Sequence, residues 1–264
     1  VFTVVLIFPL SSALAYDVFL QSDLTPSTSY YTNDLGDPAI MTGGGSEANV
    51  GSSRNDDGYM YVDLGFTLNF FGQNYTSFYA NNNGNVSFTQ GLSSYIPTGP
   101  LGASVPIISP FFADVDTTNA DSGLMYIQHD VPNQWVITWD QVGYYNSHAD
   151  VTNSFQLVLR GSDYVVPEGE GTIGFFYLDM GWDTTDTSTT AAIGFGDGLG
   201  DGVVLEGSNS PGLADIVAYH NTWFVQQDDT VVVVGGVVPE PSTWVLLGTG
   251  LISLAWYGRK RKEA

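Results

Sequence analysis

The stretch WVITWDQVGYYNSHADVTNSFQLVLR, residues 135–160, decides the fold class. Trp135, Ile137 and Trp139 alternate with Val136 and Thr138, which places three large side chains on one face of an extended segment. Phe155, Leu157 and Leu159 alternate with Gln156 and Val158 in the same way. Successive side chains of a strand point to opposite faces, so this period of two predicts strands with one buried face.

The same signal recurs outward from there. Leu64, Phe66, Leu68 and Phe70 alternate with Gly65, Thr67 and Asn69, and the runs 173–177 and 231–234 read as further strands. Turn signals separate them: Asn81-Asn82-Asn83-Gly84, Pro97 to Pro100, Gly161-Ser162-Asp163, and Gly196 to Gly202. Asn83-Gly84 fits a tight hairpin, since both residue types tolerate positive φ. No segment of the body carries a sustained 3.6-residue stripe, so the expectation is an all-β, sandwich-like domain.

Composition agrees. Of the 264 residues, 31 are Gly, 43% are hydrophobic and only 13% are charged, against roughly 25% charged in average soluble proteins. Polarity must come from Asn, Ser, Thr and Asp, which suit turns and half-buried strands. Cysteine is absent, which excludes a disulfide framework, a thiolate zinc site and a cysteine nucleophile.

The formal net charge is −22, and residues 16–238 hold two bases (Arg54 and Arg160) against 26 acids, a net of −24. Nucleic-acid affinity comes largely from Lys and Arg releasing counterions. Nucleic acid is therefore excluded as a partner.

Both ends read as addresses. Residues 1–15 form an apolar run ending Ala13-Leu14-Ala15, the small-residue pattern of a signal-peptidase site. No Met or basic region precedes it, so the expectation is a signal peptide whose first part is missing; the alternative is a buried first strand. At the other end, Ser242 to Gly258 is 17 residues without a formal charge, the short limit for a transmembrane helix. Arg259, Lys260, Arg261 and Lys262 follow directly and act as a membrane stop that stays cytoplasmic, holding the body outside. The organisation expected is a signal peptide at 1–15, an extension of loops or short strands at 16–58, a domain at 59–234 and a tail at 235–264.

Pro239-Glu240-Pro241, a short apolar helix and a terminal Arg/Lys cluster together resemble the PEP-CTERM sorting signal. The resemblance implies export in a Gram-negative bacterium, with signal peptidase and the membrane protease exosortase as processing partners. It also implies transient anchoring in the inner membrane; a permanent anchor is the alternative.

The body carries a second resemblance. Leu68-Asn-Phe-Phe-Gly72, Phe78 to Phe88, Ile108-Ser-Pro110-Phe-Phe-Ala-Asp114-Val-Asp116-Thr117, Val136 to Tyr145, Asn153 to Leu159 and Ala192 to Gly198 stand in the order of the nidogen-like (NIDO) domain. Phe112 departs conservatively from the Trp or Leu expected of many relatives. The resemblance implies an extracellular β-rich module of adhesive proteins such as basement-membrane nidogen and mucins, and it supplies no catalytic residues.

Catalytic patterns are weak. His129, His148 and His220 are far apart and fit no His-Glu-x-x-His spacing, and no Gly-x-Ser-x-Gly elbow occurs. Asp121-Ser122-Gly123 has no second triplet with which to share a proton as in aspartic proteases. Glu168 and Glu170 flank a glycine and read as a solvent loop. The chain is read as a non-enzyme.

Metal binding is the stronger candidate. Asp114, Asp116 and Asp121 stand within eight residues, with Thr118, Asn119 and Ser122 as further oxygens, and calcium takes six to eight hard oxygen ligands. The spacing fails the EF-hand template, with Asn119 at the glycine position and Met125 at the bidentate glutamate. Asp183 with Asp186, and Asp197 with Asp201, are looser candidates; the competing reading is that such acids cap turns. The function expected is an exported interaction or adhesion module of the cell surface or extracellular matrix, with calcium as a possible cofactor. A polysaccharide partner, stacked on Tyr30, Tyr31, Tyr59, Tyr61, Tyr144 or Tyr145, is the alternative to a matrix protein; a hydrolase ranks last.

Overall fold

A computed structural model describes residues 16–45, 50–97, 100–187, 189–227 and 230–234. The expected signal segment, the transmembrane span, Pro239 to Pro241 and the basic cluster lie outside the described residues. Among the described residues no helix is long and apolar enough to cross a membrane.

The chain forms β1 (Tyr16–Phe19), β2 (Thr25–Pro26), β3 (Asp37–Pro38), β4 (Gly43–Gly44), β5 (Gly58–Phe70), β6 (Gln73–Asn81), β7 (Asn85–Ser87), β8 (Ile107–Phe112) and β9 (Val115–Asp116). It continues with β10 (Leu124–Gln128), β11 (Gln134–Tyr144), β12 (His148–Arg160), β13 (Ile173–Met180), β14 (Ala192–Gly196), β15 (Gly202–Leu205), the short helix α1 (Leu213–Val217), β16 (His220–Gln227) and β17 (Thr230–Val233). One sheet runs β1-β15-β14-β8-β7-β6-β5-β4. The other runs β17-β16-β13-β12-β11-β10-β3, with β2 on β16 and β9 on β11.

The two sheets pack face to face through their aromatic residues. Phe111 of β8 meets Phe155 of β12 at 5.4 Å between ring centroids, Phe195 of β14 meets Phe175 of β13 at 5.1 Å, and Phe78 of β6 meets Trp135 of β11 at 6.0 Å. In β5 the expected alternation holds for Leu64, Leu68 and Phe70, with Val62 buried too and Phe66 only half-buried, while Tyr61, Asp63, Gly65, Thr67 and Asn69 are exposed. Burial of such side chains supplies the main stabilising term, roughly 25 cal/mol per Å² of apolar surface.

The second sheet departs from a one-sided strand pattern. From Ser154 to Arg160, β12 is buried on both faces. Val136, Val158, Phe176 and Trp223 form a smaller apolar cluster with half-buried Tyr31 packed on it. Gln156 donates to the Thr32 carbonyl at 3.0 Å and to Thr138 Oγ1 at 2.8 Å. The segment around residue 31, far away in sequence, thus covers the face that local alternation leaves to solvent.

The hairpin between β6 and β7 turns through Asn82, Asn83 and Gly84, with Asn81 paired to Asn85. Of the three, only Gly84 has positive φ, at 72°. Its missing side chain is required as well, because a Cβ there would lie 1.8 Å from the Phe111 carbonyl oxygen.

Candidate functional site

Three segments meet at that hairpin tip. Asn55-Asp56-Asp57-Gly58 turns tightly into β5: the Gly58 amide donates to Asn55 Oδ1 at 3.1 Å, and Asp57 takes a left-handed φ of 63°. The segment after β8 lies alongside, with Asp56 bridged to Asp116, and the Thr117 amide donating to the Asn55 carbonyl at 3.0 Å.

The asparagines at the hairpin tip join both segments. Asn83 Oδ1 accepts from the Val115 amide at 3.0 Å, and Asn83 Nδ2 donates to Asp57 Oδ1 at 2.7 Å. Asn82 Nδ2 donates to the carbonyls of Val115 and Asn55, and the Asn82 carbonyl accepts from Trp139 Nε1 at 2.9 Å.

This framework places carboxylate oxygens of Asp56, Asp57 and Asp114 all within 4.8 Å of one another. Asp114 is 1% exposed, and neither of its carboxylate oxygens meets a hydrogen-bond partner among the described residues. Asn82 Oδ1 is likewise buried without a partner.

Burial, then the charges of Asp57, Asp56 and Asp116, push the Asp114 carboxyl up to about 7. Burial, then Asp57 and Asp116, push Asp56 up to about 7 as well. Asp57 is raised by burial and partly restored by the Asn83 amide. Like charges in a desolvated site resist ionising together unless a cation joins them. Oxygen-only donors of this kind suit hard cations.

The three acids singled out from the sequence separate. Asp114 enters the cluster just described. Asp116 lies beside it, but both its oxygens are engaged: Oδ1 accepts from the Thr118 amide at 2.8 Å and Oδ2 from the Ser147 amide at 2.8 Å. Asp121 is exposed, its amide donating to Asn119 Oδ1 at 2.9 Å.

The loop from Thr117 to Ser122 is organised around a guanidinium. Arg54 Nη1 donates to the carbonyls of Thr117, Asn119 and Ser122 at 2.9, 2.6 and 2.9 Å, and Nη2 donates to Ala120 at 3.0 Å. Four carbonyl oxygens that could have faced a metal ion face one of the body's two arginines instead.

The looser acid pairs serve local structure. Asp183 Oδ2 accepts from the amides of Gly212 and Ala214 at the start of α1. Asp197 Oδ1 accepts from the amides of Leu199, Gly200 and Asp201 within the β14–β15 turn.

The histidines stay apart. His129 stacks on Trp135, His148 contacts Asp186 and Asp150, and His220 Nδ1 lies 2.7 Å from the Ala218 carbonyl. Of the six tyrosines considered for sugar stacking, Tyr30 is buried and donates to Asp140, and Tyr31 packs against Phe176 and Trp223. Tyr61 and Tyr145 are exposed, at 48% and 39%.

Asp56 and Asp57 were not among the acids chosen from the sequence. Their visible signal is an adjacent acidic pair inside Asn-Asp-Asp-Gly, a pattern that reads as a turn. What makes them neighbours of Asp114 is the pairing of Asp56 with Asp116, which no local pattern encodes.

Comparison with known proteins matches two parts of the chain. The family model described as NIDO related matches residues 30–233, and that of the PEP-CTERM protein-sorting motif matches residues 237–262. Alpha-tectorin of Mus musculus is 28% identical over 225 residues, covering 71% of this chain and 9% of its own length. Alpha-tectorin of Homo sapiens is 27% identical over the same length, with the same coverage. Nidogen of Drosophila melanogaster is 24% identical over 147 residues, covering 44% of this chain and 11% of its own. The chain spans about a tenth of the length of these curated relatives. No solved structure matches it.

Proposed function

The chain belongs to the NIDO-related family and carries a PEP-CTERM sorting motif, and from that membership we propose that it is a non-enzymatic adhesion or interaction module of the cell surface or extracellular matrix. The observation that carries this reading is the juxtaposition of the two matches. A domain at 30–233 is followed directly by a sorting motif at 237–262, which implies processing by exosortase.

The apolar run 242–258 then serves as a temporary inner-membrane anchor, retained by Arg259 to Lys262 until cleavage near Pro239-Glu240-Pro241. The body's net charge keeps it soluble and non-aggregating once outside. The separated histidines, each with local partners, and the lone Asp121, exposed on a turn with no second aspartate triplet, support a binding role over a hydrolytic one.

The test is fractionation of the native cells with mass spectrometry of the mature carboxyl end. The expected result is a body in the envelope or medium that ends near Pro239 to Pro241. An intact, unprocessed chain in the cytosol would overturn the reading.

One observation favours polysaccharide as the partner. At the β11–β12 hairpin, exposed Tyr145 follows Tyr144, whose ring stacks on His148 with centroids 4.5 Å apart and planes 6° from parallel. Binding on a glycan array that disappears in Tyr144→Ala and Tyr145→Ala would select this partner; binding unchanged in both would discard it.

A further inference from the structure

The acid cluster at the β6–β7 tip includes a buried carboxylate that neither arginine of the body neutralises. Arg54, the nearest arginine in sequence, directs its guanidinium at the carbonyls of Thr117, Asn119, Ala120 and Ser122. Arg160 pairs with Glu170. Meanwhile Asp114 is buried with two unpartnered oxygens, one of them within 4.8 Å of a carboxylate oxygen of Asp56 and one of Asp57. Burying a carboxylate without a partner is costly, and such groups are normally paired or bound to a metal.

We propose that Asp56, Asp57 and Asp114 form a calcium site that clamps the turn before β5 onto the segment after β8, beneath the β6–β7 hairpin tip. The donors are hard oxygens only, which disfavours the softer transition metals. Calcium accepts carboxylates in one- or two-oxygen modes with flexible geometry, whereas magnesium demands near-ideal octahedra and retains several waters. With Asp114 this deeply buried, the cluster favours the ion that sheds water more readily. Asn82, whose amide nitrogen contacts the backbone beside both Asp56 and Asp114, offers a further unpartnered oxygen.

The site differs from the one expected around Asp121. It gathers residues from three separate stretches, and its consequence is mechanical. With calcium bound, the turn at Asn55 to Gly58 and the segment from Asp114 to Thr117 are held by one ion rather than by hydrogen bonds alone. This inference does not depend on where the protein is sorted.

The experiment uses the purified full chain in detergent at pH 8, melted in EDTA, calcium chloride or magnesium chloride. A ligand that binds only the folded state raises the melting temperature. At calcium roughly a hundredfold above its Kd, the expected rise is about 5–10 °C over EDTA, and less with magnesium. Asp57→Asn and Asp114→Asn should each lose most of that rise, and Asp121→Asn should retain it. If Asp114→Asn does not fold, the wild-type response and Asp57→Asn decide. No calcium shift in the wild type, an equal rise with magnesium, or an undiminished rise in Asp57→Asn would each overturn the proposal.

Discussion

The Arg160 guanidinium lies over the Trp223 indole, 4.3 Å from its centroid, although Arg160 ends a strand whose inward face is aliphatic and aromatic. Only 1% of the residue is exposed. Its Nε donates to Gln134 Oε1 at 2.9 Å, Nη1 to the Gly171 carbonyl at 2.9 Å, and Nη2 to the Tyr31 hydroxyl at 3.1 Å and Glu170 at 2.5 Å. A buried cation is tolerable when most of its donors are satisfied, as four are here, and a carboxylate is close.

Arg160→Lys keeps the charge but cannot reproduce the planar fork or its stacking on the ring. A loss of about 2–4 kcal/mol is expected, read as a fall in the urea midpoint at unchanged slope. A change below about 0.5 kcal/mol would show that the fork adds little.

Gly84→Ala should be among the most damaging single-methyl changes in the body. It combines a φ of 72° with a Cβ placed 1.8 Å from a backbone oxygen that cannot yield like a side chain. A loss above about 3 kcal/mol is expected. Gly169→Ala, at a φ of 82° with no atom within 4 Å, should cost only about 1 kcal/mol. Equal losses in thermal melts of the two variants would refute the steric account.

Trp139→Phe removes a fully buried indole that stacks on Phe155 at 5.0 Å and donates to the Asn82 carbonyl. The smaller ring leaves a cavity and an orphaned acceptor, for an expected cost of about 2–4 kcal/mol. Because Asn82 braces the acid cluster, the same variant should weaken any calcium-dependent rise in melting temperature. Chemical denaturation and melting with and without calcium measure both effects.

His148 carries a pH dependence of its own. The hydrogen bond that the His148 ring donates to Asp186 raises its pKa first, burial opposes this, and the charge of Asp186 and the hydrogen bond and charge of Asp150 add to the rise. Tyr144 stacks on the face of the His148 ring. A histidine raised above its unfolded value of about 6.5 stabilises the fold fully below that pH and ceases to do so as pH climbs through the folded value. Asp186→Asn should bring the His148 titration, followed by NMR of the ring protons, back toward 6.5. An unmoved titration would show that Asp186 is not the cause.

Much of the body was legible because strand patterning is local. Leu64 to Phe70, Trp135 to Trp139 and Phe155 to Leu159 each announce a buried face within a few residues, and Gly84 marks its hairpin. The candidate site was legible only in part. Asp114 stood out beside Asp116 and Asp121, but Asp116 is occupied by the amides of Thr118 and Ser147 and the loop toward Asp121 by Arg54.

By itself the sequence determined the β class, the acidic body and the sorting tail, because these depend on residue type and on spacings of a few positions. The tertiary structure decided which acids are neighbours, that Arg54 fills the 117–122 loop, and that residues near 31 cover the second face of β12. Those outcomes depend on strand order across two sheets, which brings residues 56, 83 and 114 together through space by contacts that no local period records.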